Sequence, residues 1–202
     1  MVRDAVRGLC EPLTRFILRS WELADDFFVS RDMPEDDHRG GRAHLARQLL
    51  RRELRLADSL GGWRLPKKCT PNSEVKLVKD AMSLKVLRPG VGGAVPAPGV
   101  NLARMRYYRN PELTLFGADA SNLIAAWSIS AKTHQPIIRI VRPTSIWKSL
   151  RPEEIDIDFF LPASPGQLDE LSFVPSDEGL ELPFFVGDED EEEGGDVSPN
   201  GG

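Results

Sequence analysis

Two kinds of residue pattern in this 202-residue chain could do chemistry. The first is basic and aromatic. The stretch "ARMRYYRN", residues 103–110, sets Arg104, Arg106 and Arg109 around Tyr107 and Tyr108. Upstream, Arg47, Arg51, Arg52 and Arg55 recur in "RAHLARQLLRRELRLADSL", and Arg64, Lys67 and Lys68 follow in "GWRLPKKCTPN". Cations that track one surface neutralise phosphates and release their counterions. Tyrosines beside them can stack unpaired bases, worth roughly 1–3 kcal/mol per base. These residues together form the candidate surface for RNA or DNA.

The second pattern is acidic. Asp156 and Asp158 lie two apart in "EEIDIDFFL". On a strand that spacing puts both carboxylates on one face, about 7 Å apart. Such a pair could hold Mg²⁺ or Mn²⁺ beside a phosphate, the one enzymatic alternative that the sequence offers. It brings no third ligand, however, and any exposed acidic strand face has the same pattern. Asp36, Asp37 and His38 look like loose metal ligands but have no distant partner at a metal-site spacing, and read as a surface loop. His44 and His134 stand near no nucleophile motif. The segment "RPGVGGAVPAPGV", 88–100, lacks both the strand–glycine–helix setting of a dinucleotide site and the Gly-Lys-Ser/Thr of a phosphate loop. No catalytic residue, metal or cofactor is therefore assigned, and the chain reads as non-enzymatic.

Hydrophobic spacing must say what positions these groups. Residues 12–30 read as a helix with Pro12 at its first position. Leu13, Phe16, Ile17, Trp21, Leu23, Ala24, Phe27 and Phe28 share one face, and Arg15, Arg19, Glu22 and Asp26 the other. Residues 42–60 read as a second helix, ended by Gly61 and Gly62, with a leucine arc opposite the arginines. Glu53 falls inside that arc and needs a partner. Residues 73–87 read as a third helix, with a strand as the alternative. Residues 88–100 read as a Pro/Gly connector, 119–133 as a short helix, and 136–143 and 153–161 as strands. For 102–109 the secondary structure decides the role of the tyrosines. A strand would place Arg104, Arg106 and Tyr108 on one face; a helix capped by Asn101 would turn Leu102, Met105 and Tyr108 inward. The expected class is α+β. A helical N-terminal half and a small β-containing C-terminal half make one domain over 1–185, and 186–202 form a disordered acidic tail.

Charge is divided along the chain. Residues 1–110 carry 21 Lys and Arg against 13 Asp and Glu, a net of +8; residues 111–202 carry 5 against 18, a net of −13. Such a split suits a polyanion-facing half with an acidic appendage, or two halves that attract each other. The run Asp188–Glu193 could mimic a polyanion or merely add solubility. Two distant cysteines, Cys10 and Cys69, make neither a disulfide scaffold nor a zinc ribbon. No stretch is apolar enough to span a bilayer, and no secretory leader follows Met1, so the expected setting is cytoplasmic or nuclear. The expected function is a nucleic-acid-associated accessory or structural protein, whose small size and charge polarity suit a virus or phage. The alternatives are a protein-interaction adaptor or assembly factor, a peripheral protein docked on anionic membrane through 42–60, and the Asp156/Asp158 enzyme.

Overall fold

In the computed structural model, residues 2–67, 74–90, 93–111, 121–148 and 153–170 are described, without the side chains of 35–37, 169 and 170. A short helix α1 (Val2–Val6) and one 3₁₀ turn (Arg7–Leu9) lead into α2 (Cys10–Val29) and α3 (Glu35–Leu56). The hairpin β1 (Val75–Lys79) and β2 (Met82–Leu87) follows, then α4 (Leu102–Tyr108), β3 (Ser121–Ile129), β4 (Pro136–Pro143), β5 (Ile155–Phe160) and α5 (Pro165–Glu170). The five strands form one sheet in chain order. All neighbours are antiparallel except β2 and β3, which run parallel and so need the crossover that carries α4. The α+β class holds, with helices in the N-terminal part and the sheet in the later part.

Two apolar clusters cover the two sheet faces. Against one face, Leu84, Val86, Leu123, Ala125, Ile138 and Ile140 pack with Leu9, Leu13 and Ile17 and with Leu50 and Leu54 of α3. Against the other, Ile124, Ala126 and Val141 pack with Tyr107, Tyr108, Val95 and Trp147. This double covering explains the strand at 121–129, where the sequence suggested a helix. A strand buried on both faces loses the alternation that identifies one and reads as a continuous apolar run, here "LIAAW".

The helix expected over 73–87 is a hairpin. Val75 and Leu77 are buried opposite Leu84 and Val86, an alternation of period two. Asp80 takes φ 50° in the two-residue turn, a conformation that Asp tolerates better than most residues. The second helix is also displaced. It begins at Glu35, inside the expected loop, and ends at Leu56. Gly41 lies within it because a Cβ there would stand 3.0 Å from the Phe28 ring, so the glycine lets α2 and α3 approach. Gly61 and Gly62 do not cap it. Gly61, at φ 62°, meets Gly8 backbone to backbone, and a Cβ on either residue would come within 2.5 Å of the other's Cα. Pro12 sits in the third position of α2, where the absent N–H still costs no intrahelical bond.

The apolar arc of α3 joins the core in part. Ala46, Leu50 and Leu54 are buried, Leu45 and Leu49 are half-buried, and Leu56 is 66% exposed. The buried stripe also takes in Arg42 and Arg51. Arg42 pairs with Asp25 of α2 and donates to the Met33 carbonyl at 3.0 Å. Glu53 finds its partner in Arg19, 3.6 Å away. The described part of the connector 88–100 packs against the protein through Val95 and Ala97. Val95 is buried, and its N–H donates to Glu153 at 2.5 Å. Contacts divide the chain after Leu171. The expected acidic tail, and most of the last stretch of the expected domain, lie outside the described residues.

Candidate nucleic-acid interface

Residues 102–108 are helical, with Asn101 as the cap: its side-chain oxygen accepts from the Arg104 N–H at 3.0 Å. The helix turns both tyrosines into the protein. Tyr107 donates to the Leu123 carbonyl at 2.7 Å or the Ser83 carbonyl at 3.0 Å, which ties α4 to β2 and β3. Tyr108 donates to the Pro96 carbonyl at 2.5 Å and packs on Trp147 with ring centroids 5.0 Å apart. Burial pushes both phenols up, Tyr108 to about 12, with Glu153 adding to the effect and Arg104 opposing it at Tyr108. Tyr107 and Tyr108 are therefore core residues and offer no ring to a base, contrary to the stacking role that the strand alternative gave them.

The arginines separate into three groups. Arg51 is buried, and its guanidinium donates to the Glu74 carbonyl at 2.6 Å, which fastens α3 to the start of β1. It leaves the candidate surface for a structural reason: the buried stripe of α3 runs one position beyond the leucines. Arg52, Arg55, Arg64, Lys67, Arg106 and Arg109 are exposed. None of them lines the cleft described next. Lys68 lies outside the described residues.

Arg47 and Arg104 do come together. Both line a cleft of about 530 Å³ at the open end of the β1–β2 hairpin, opposite its turn. Lys85 and Arg88, which the sequence did not single out, join them there. Lys85 lies 4.2 Å over the centre of the Tyr107 ring and forms an ion pair with Glu74 at 2.7 Å. Arg88 lies over Trp21 at 4.5 Å and Trp127 at 5.4 Å. The aromatic rings thus hold two cations in place from beneath. Four cations face one carboxylate, Glu74, in a lining otherwise made of Val75, Val86, Leu87, Pro96, Asn101 and Ala103. Three chain segments that are distant in sequence supply this charge. A signal for it was nevertheless present: Lys85 alternates with Leu84 and Val86 once the hairpin is recognised.

The acidic pair is committed elsewhere. Asp158 accepts two bonds from Arg139, at 2.8 and 2.7 Å, and Glu153 accepts a third at 2.7 Å. Asp156 pairs with Arg142, which is fully buried and also donates to the Pro111 carbonyl. Both carboxylates thus balance arginines instead of lying open to a metal. Among the described residues no three His, Cys, Asp or Glu gather to hold one. The ion pairs at Arg19, Arg42, Lys85, Arg139 and Arg142 each join partners from the same half of the chain, so they are not what the +8/−13 division is for. Among the described residues no helix is long and apolar enough to cross a membrane.

The chain matches no protein-family model, no curated protein and no solved structure.

Proposed function

We propose that this protein binds RNA or DNA through phosphate contacts in the cleft lined by Arg47, Lys85, Arg88 and Arg104, and that it does so as an accessory or structural component without catalysis. One observation carries the reading: four cations from α3, β2 and its end, and α4 converge on one open cleft whose lining, among the described residues, includes one carboxylate. Phosphates are the ligands for which clustered Arg and Lys give the largest gain, through charge-assisted bonds and counterion release.

The test compares reversal of charge inside and outside the cleft. Arg104→Glu should weaken binding of a labelled oligonucleotide at least about tenfold at low salt, whereas Arg109→Glu should change it less than about threefold. Arg109 is an exposed residue outside the lining, at the end of the same helix. Equal losses in the two variants would reduce the effect to net charge, and no binding by the unaltered protein would end the proposal.

A second reading rests on a separate surface. Leu23 and Phe27, one helical turn apart on α2, are 43% and 41% exposed. They favour the adaptor alternative, in which a partner helix covers this side of α2. Leu23→Ser combined with Phe27→Ser would then abolish partner binding and leave the oligonucleotide affinity unchanged.

A further inference from the structure

The shape of the cleft restricts the kind of nucleic acid that fits it. Arg47, Lys85, Arg88 and Arg104 surround one concavity, so a phosphate has to enter it to lie near all four. The volume of about 530 Å³ is that of a small-molecule site and admits on the order of one or two nucleotides. A duplex is stiff over about 150 base pairs and keeps its phosphates on a rigid cylinder. It can lay a phosphate on the rim but cannot fold its backbone inward. A single strand turns freely about its backbone bonds and can bring successive phosphates into the concavity.

The lining also decides what is read. None of its described residues is aromatic. Tyr107 lies under Lys85, and Trp21 and Trp127 lie under Arg88, so these rings spend their faces on the protein's own cations. Single-strand sites that stack bases keep such faces open. We infer that the cleft takes a single strand, phosphate first, and discriminates little between bases. This inference rests on the function proposed above.

Fluorescence anisotropy with the full chain at low salt tests it, using labelled dT12, dC12 and a 12-base-pair mixed duplex. The two single strands should bind within about threefold of each other and at least about tenfold more tightly than the duplex. Arg47→Ala and Arg104→Ala, made separately, should each narrow the gap between single strand and duplex. A duplex that binds as well as the single strands would overturn the inference while leaving phosphate binding in place. A preference of more than about tenfold between dT12 and dC12 would overturn its base-independent part. No binding of any probe would instead remove the underlying reading.

Discussion

The placement of both tyrosines in the core can be tested by titration. Tyr107 and Tyr108 are the only two tyrosines in the chain, so the alkaline rise in absorbance near 295 nm that marks phenolate formation comes from them. Both are buried, and burial disfavours the phenolate, so both are raised above the ordinary value of 10.0. Tyr108 reaches about 12. The sign follows from proton counts. Between pH 10 and 12 the unfolded chain has released these protons and the folded chain still holds them, so stability falls as pH rises. The stability that Tyr108 contributes by staying neutral is fully present below pH 10 and is lost as pH climbs towards 12. Its share of the loss is on the order of 2–3 kcal/mol. The expected record is a flat absorbance through pH 10, then a steep and cooperative rise as the protein unfolds. A smooth titration of either tyrosine centred near pH 10, with the far-ultraviolet circular dichroism unchanged, would refute the burial. It would also restore the tyrosines to the surface as candidate stacking groups.

Further outcomes follow from other contacts. Gly8→Ala and Gly61→Ala should each cost roughly 1–3 kcal/mol in urea unfolding, because the new methyl meets backbone that cannot turn aside; midpoints unchanged in both would mean that the two chain segments do not touch. Asp156→Ala should cost roughly 3–5 kcal/mol, because it leaves Arg142 buried without its carboxylate, and Mg²⁺ or Mn²⁺ should not shift the melting temperature of the unaltered protein; a metal-dependent rise lost in that variant would favour the enzyme instead. Removing residues 187–202 takes away seven carboxylates and should strengthen oligonucleotide binding at low salt, where screening is weakest; equal affinities in an anisotropy titration would leave the acidic run with a solubility role.

The sequence showed some elements through composition and boundaries. The strand at 136–143 was legible in its β-branched, proline-bounded run, and so was the outward pair Asp156 and Asp158. The buried side of α2 was legible at Leu13, Phe16 and Ile17, whereas Leu23 and Phe27 proved exposed because α3 covers only part of the arc. Reading failed where tertiary contacts override periodicity. β3 lost its alternation under two covering layers, and α3 turned Arg51 inward to bond Glu74. The glycines at 61 and 62 looked like a helix end because spacing cannot show that Gly61 must pass against Gly8, more than fifty residues away. Half of the cleft was visible, as Arg47 and Arg104. Lys85 and Arg88 were hidden by reading the hairpin as a helix and the residues after it as a connector.

The most direct test of phosphate binding in the cleft is the salt dependence of single-strand affinity, compared between the unaltered protein and the double variant Arg47→Ala/Arg104→Ala. Four phosphate contacts predict that log K falls against log salt with a slope of about −2.8, or about a fiftyfold loss from 50 to 200 mM salt. Removing two of the four cations should bring the slope to about −1.4, or about a sevenfold loss over the same range. Identical slopes for the two proteins would contradict the account, whatever their affinities.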